Sequence, residues 1–230
     1  MNRRCSDSKC LLLRTCAAAL LGVIGLASGC TTMSLEGPDD PAGELRSLLD
    51  QLESHTDEGS YGEEARRKLA RLSAKYPRDV DLHFANAVYA AQDGDIARAT
   101  PHLDSLFRIT SVHPEAAILR AELALKEGNL RLAIRVLDEQ SRLVPDHAGL
   151  REMLGSAYYF LGEYRASWDE LQQASRLGTP RWRVAYHQGL VAEAEGRAED
   201  ARRLYEDSFR LNPDFRPAAS RARALNRTAE

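Results

Sequence analysis

From about residue 43 to residue 226 the apolar positions recur three and four residues apart, and no stretch alternates apolar and polar residues long enough to argue for a strand. The pattern predicts helices throughout. A longer rhythm runs through it, because Gly94, Gly128, Gly162 and Gly196 follow one another at intervals of 34 residues. Seven residues before each glycine stands a small residue (Ala87, Ala121, Gly155, Gly189), and five after it stands another (Ala99, Ala133, Ser167, Ala201). Nine after come Leu103, Leu137, Leu171 and Tyr205; fifteen after come Ile109, Leu143, Leu177 and Leu211. Small positions let two helices approach closely, and large ones fill the space beyond. Each unit is therefore expected to hold a helix, a reversal at the glycine in its left-handed conformation, and a second helix that stops near Pro114, Pro145, Pro180 or Pro213.

A constant period of this size marks a stacked array of helical hairpins. Leu154, Gly155, Tyr158, Gly162, Leu171 and Ala174 resemble the tetratricopeptide repeat, and the resemblance covers about residues 46–226. It implies an all-α fold, a right-handed superhelical solenoid of helix-turn-helix repeats with a C-terminal capping helix. Residues 43–79 read as a degenerate first repeat, with Leu45, Leu48, Leu49 and Leu52 at helical spacing and the turn glycine displaced to Gly59 or Gly62. Four repeats follow over 80–213, divided near 114, 148 and 182. Residues 214–230 read as the capping helix and tail, with Phe215, Ala218, Ala222 and Leu225 on one face.

The first 29 residues stand outside this array. Arg3, Arg4, Lys9 and Arg14 make a basic start, Ala17 to Leu26 a short apolar run, and Ala27-Ser28-Gly29 a small-residue close before Cys30. The run is too short to cross a bilayer, which takes about 20 residues, and reads as a secretory signal. Leu26-Ala27-Ser28-Gly29-Cys30 resembles the bacterial lipobox, with alanine where leucine is most common three places before the cysteine. The resemblance implies cleavage before Cys30, acylation of that residue by a palmitate-type chain, and a lipidated tether over residues 30–42. With Thr31 and Thr32 behind the cysteine, it further implies a Gram-negative lipoprotein anchored to the outer membrane on its periplasmic face. The other cysteines, Cys5, Cys10 and Cys16, lie in the leader, so the remaining body has no thiol for a disulfide, a nucleophile or a metal site. Losing the leader removes four cations (Arg3, Arg4, Lys9, Arg14) and one anion (Asp7), moving the net charge from -3 to -6. A nucleic-acid footprint is not expected on so acidic a body.

Candidate chemistry is sparse. None of the six histidines pairs with another at the i, i+4 spacing of a helical zinc site, and neither a Gly-x-Ser-x-Gly turn nor a phosphate loop occurs in the body. No catalytic residue, metal or cofactor is expected, and an enzyme is not. Trp168 and Trp182 are expected to pack between the last two units. The tetratricopeptide resemblance implies that the first helix of each unit lines a concave groove, placing Phe84, Val88, Ile118, Glu122, Glu152, Tyr159, Arg183 and Tyr186 there, with Asp81, Glu115, Ser156 and Leu190 beside them. An apolar groove edged with carboxylates suits a protein partner, as a helix or extended peptide carrying hydrophobic and basic residues. By resemblance to tetratricopeptide lipoproteins, the expectation is a scaffold for assembling a cell-envelope machine, a pilus or secretion apparatus. The alternative is a scaffold for polysaccharide export or peptidoglycan synthesis, touching glycan through Trp168, Trp182, Tyr159 and Tyr186.

Overall fold

The computed structural model describes residues 40–53 and 60–228. The leader, Cys30, the tether up to residue 39 and Gly59 lie outside the described residues. These hold eleven helices and no strand: α1 Pro41–Glu53, α2 Ser60–Lys75, α3 Val80–Gln92, α4 Ile96–Ile109, α5 Pro114–Lys126, α6 Leu130–Leu143, α7 Ala148–Leu161, α8 Tyr164–Arg176, α9 Arg181–Ala194, α10 Ala198–Leu211 and α11 Arg216–Thr228. Helices α1–α4 form one compact unit, ending at Ser111, and α5–α11 a second, beginning at Val112.

Each reversal is built the same way. Gly94, Gly128, Gly162 and Gly196 take φ values of 76°, 77°, 85° and 78°. The next residue's N–H then reaches back to a carbonyl that its helix has left unpaired: Asp95 to Ala90 at 2.9 Å, Asn129 to Ala124 at 2.8 Å, Glu163 to Tyr158 at 3.0 Å and Arg197 to Ala192 at 2.9 Å. After Gly94 and Gly128 that residue also starts the following helix, because Asp95 Oδ1 accepts from the Arg98 N–H at 3.0 Å and Asn129 Oδ1 from the Leu132 N–H at 3.2 Å. Gly178, at φ 102°, supplies the same turn between α8 and α9, where the Thr179 N–H reaches Ala174 O at 2.9 Å. The 34-residue rhythm does not mark it.

The small positions before and after each glycine are all buried, as are Leu103, Leu137, Leu171 and Tyr205. The set fifteen residues after the glycine departs from expectation. Leu143 and Leu211 are 49% and 42% exposed, and Ile109 and Leu177 are only part-buried. Leu143 and Leu211 are the last residues of α6 and α10, so they sit at the rim of their hairpins rather than between helices.

In the first unit, Leu45 and Leu48 of α1 pack with Leu69 of α2 and with Leu82 and Ala85 of α3. Lys75 Nζ and the Tyr76 hydroxyl each donate to Glu44 Oε1 at 2.8 Å. Gly62 lies inside α2 and does not form the displaced turn considered for it. At the other end, Phe215 just before α11 and Ala218 and Ala222 within it are buried, and α11 packs on α10, which closes the array as a capping helix should.

Candidate functional site

The expected partner face falls on the first helix of each hairpin: α3 in the first unit, and α5, α7 and α9 in the second. In the second unit these helices touch in series, α5 against α7 and α7 against α9. Gly149 in α7 helps bring the first pair together, since a Cβ there would stand 3.1 Å from Ile118 Cδ1 of α5.

Packing decides what each residue can offer. Val88, Glu122, Glu152 and Tyr186 are only 2–5% exposed, at 3%, 2%, 5% and 3% respectively. These four were expected to face a partner; they are walls instead. For Glu152 and Tyr186 the neighbours are identified: Arg183 and His187 of the adjoining first helix α9 cover the first, and Tyr205 and Phe215 cover the second. Phe84, Ile118, Tyr159 and Arg183 remain part-exposed.

The acids on this face are engaged by the next helix. Glu152 Oε1 of α7 accepts from Arg183 Nε of α9 at 2.8 Å and lies 3.4 Å from His187 Nε2. Burial pushes the Glu152 carboxyl up, but His187 and Arg183 together outweigh that push and hold it below the ordinary carboxylate value. A second clasp joins α5 to the start of α7, where Glu115 Oε1 lies 3.2 Å from His147 Nε2. That hydrogen bond is foremost in holding Glu115 below its ordinary value.

His147 does two jobs. Its Nδ1 accepts from the Leu150 N–H at 3.2 Å and so caps α7, which leaves Nε2 to carry the proton given to Glu115. His113 caps α5 in the same way, Nδ1 accepting from the Ala116 N–H at 3.1 Å, and Asp79 caps α3 through Leu82 N–H at 2.8 Å. Reading the histidines for metal chemistry missed this role. The available signal was the 34-residue spacing of Asp79, His113 and His147 just before each first helix.

The rings are largely committed to packing. Trp182 stands 4.9 Å from Phe215, and Tyr186 lies 4.9 Å from Phe215 and 5.6 Å from Tyr205. Trp168 packs against Leu171, Val184 and Val191, with the Arg197 guanidinium 5.5 Å over its ring. Tyr159 packs against the same cluster and stays part-exposed. Among the described residues no three His, Cys, Asp or Glu side chains converge to hold a metal ion, and no helix is long and apolar enough to cross a membrane. What the face provides is recognition chemistry: aliphatic and aromatic positions beside paired charges.

Hairpins with left-handed turn glycines, small residues at the helix contacts and serial packing of first helices define an all-α repeat protein of the tetratricopeptide fold. Comparison with solved structures agrees. MamA from Desulfovibrio magneticus superposes with a TM-score of 0.64 at 20% identity, covering 78% of this chain and 99% of that one. YrrB, a TPR protein with an unusual peptide-binding site, gives a TM-score of 0.59 at 12% identity, covering 79% and 91%. By sequence, the chain is 29% identical over 143 residues to human DnaJ homolog subfamily C member 3, covering 57% of this chain and 28% of that protein. It is 30% identical over 107 residues to mouse tetratricopeptide repeat protein 36, covering 45% and 58%. The chain thus spans less than two thirds of the length of either relative. No protein-family model matches it.

Proposed function

We propose that this protein is a membrane-anchored scaffold that holds a protein segment along the first-helix face of its hairpins and serves the assembly of a cell-envelope machine, a pilus or secretion apparatus. The observation that carries this reading is the set Ile118, Tyr159 and Arg183, part-exposed on three helices that touch in series. Spaced apolar anchors suit a helix or extended peptide that presents hydrophobic side chains along one face. Glu122 and Glu152, which favoured a basic partner on sequence grounds, are buried. The peptide-binding site of YrrB on the same fold supports the reading by analogy. Cys30, behind Ala27-Ser28-Gly29, supplies the anchor, with the body on the periplasmic face of the outer membrane.

A photo-crosslinking residue at Ile118 or Tyr159, activated in intact cells, tests the face, with Arg131 on α6 as the comparison. A defined protein adduct from the first-helix positions alone is expected; equal capture from Arg131, or none from any position, overturns the reading. The anchor is tested separately by fatty-acid labelling. Label that persists in Cys30→Ser removes the lipid from the proposal.

A further inference from the structure

A cleft of about 590 Å³ opens in the first unit between α2, α3 and α4, and none of the partner-face residues lines it. Arg66 and Arg67 of α2 stand on one side, Arg98 and His102 of α4 on another, and Asn86 and Tyr89 of α3 are at its base. Among the described residues no carboxylate lines it, although the chain as a whole has 34 acids against 31 Lys and Arg. Such segregation of charge, in a body of opposite net sign, focuses positive potential into a recess. The compensating acids sit outside the lining: Asp93 reaches Arg66 at 3.1 Å and Asp95 reaches Arg98 at 3.7 Å. Both aspartates are more than a third exposed, at 37% and 38% of the side chain. Pairs of that kind hold weakly, so the guanidinium groups can exchange them for a stronger anion.

The base of the cleft is ordered. Asn86 Nδ2 donates to Ser73 Oγ at 2.8 Å and to Leu82 O at 2.7 Å. His102 Nδ1 lies 3.5 Å from His83 Nδ1. Burial, then the His83 and Arg98 charges, push the His102 imidazole below its ordinary value, so it favours the neutral form and can offer a ring N–H or a lone pair.

We propose that this cleft binds a phosphate group. Guanidinium forks from two helices match the several oxygens of a phosphate, which accepts paired N–H donors in a way a point charge cannot enforce. The volume falls within the range of small-molecule sites, roughly 300–1,000 Å³, and so holds a phosphoryl group together with the moiety that bears it. That group comes either from a soluble phosphate ester or from the headgroup of an anionic lipid.

Calorimetric titration of the full chain with glycerol phosphate at fixed ionic strength tests the site, alongside binding to vesicles of phosphatidylglycerol. The variants are Arg67→Ser with Arg98→Ser, both exposed positions, and Arg135→Ser on α6 as the control. Saturable binding of glycerol phosphate that falls at least about tenfold in the double variant and holds in the control, as expected where a charge-assisted pair is lost, assigns a soluble ester. Vesicle binding that needs Arg67 and Arg98, without affinity for glycerol phosphate, assigns a lipid headgroup. Binding that is absent in both arms, or equal in wild type and double variant, overturns the proposal.

Discussion

Gly189 and Tyr205 are packed so closely that a Cβ on the glycine would lie 2.6 Å from Cε1 of the ring. The ring is fully buried and its hydroxyl donates to Glu193 Oε2 at 2.7 Å, so it is held at both ends. One repeat earlier a Cβ on Gly155 would stand 2.8 Å from Leu171 Cγ and 3.2 Å from Ser167 O, while the Ser167 hydroxyl donates to Gly155 O at 2.6 Å. A missing side chain is what lets the two helices of each of these hairpins meet.

Gly189→Ala is therefore destabilising even though alanine is the better helix former. Overpacking costs ~1–3 kcal/mol, and the propensity gain returns up to ~1 kcal/mol. A net loss of about 1–2 kcal/mol is expected in urea unfolding. An unchanged midpoint would mean that α9 and α10 are not in this register.

Glu152→Gln removes the acid from the clasp between α7 and α9 and leaves Arg183 and His187 facing a neutral amide. Hydrogen bonds to charged groups contribute ~1.5–3 kcal/mol, and a loss of about 2 kcal/mol at pH 7 is expected. Because the folded carboxyl titrates below its ordinary value of 4.5, its contribution is present above that value and is lost as the pH falls further. The gap between wild type and variant should hold near neutrality and shrink in acid. A gap that widened as the pH fell toward 4.5 would show that the folded carboxyl titrates above its ordinary value.

His147 caps α7 and pairs with Glu115, and substitutions separate the two roles. His147→Ala loses both and should cost ~1 kcal/mol or somewhat more. His147→Asn keeps an acceptor for the Leu150 N–H and should fall between alanine and wild type. His147→Asp caps as Asp79 does for α3, yet brings a second carboxylate to Glu115, so it should be less stable than the asparagine variant. Thermal melts of the three variants give the order directly; aspartate above asparagine would remove Glu115 from the account.

The backbone plan was legible because it is periodic. Gly94, Gly128, Gly162 and Gly196 place their reversals by local conformation alone, and Ala87, Ala121, Gly155 and Gly189 mark where helices touch. The site was less legible, since a period says which residues point along a face but not which of them the adjoining helix covers. Glu152 meets Arg183, 31 residues on, and Glu115 meets His147, 32 residues on, so neither clasp keeps the repeat interval. Leu143 and Leu211 kept the interval and are nevertheless exposed, because the register continues one step past the packed part of the hairpin.

Tyr205 gives the array a limit in alkali. Burial foremost, then the Glu193 carboxylate, push its ionisation far above the ordinary phenol value of 10.0, so the folded state keeps the proton where the unfolded chain gives it up. The stability this protects is complete below pH 10 and falls as the pH rises beyond it, by about 1.4 kcal/mol for each unit. Tyr205→Phe forfeits the hydrogen bond to Glu193, worth ~1 kcal/mol at neutral pH, but has no phenol to ionise at that position. Glu193 retains Arg221, whose Nη1 donates to it at 2.9 Å, so the variant leaves no unpaired carboxylate. Urea unfolding measured at intervals from neutral pH upward should find the variant weaker at first and the two chains converging about one unit above the phenol value. Curves that stay parallel would mean that the Tyr205 hydroxyl is open to solvent and that α11 does not close over it.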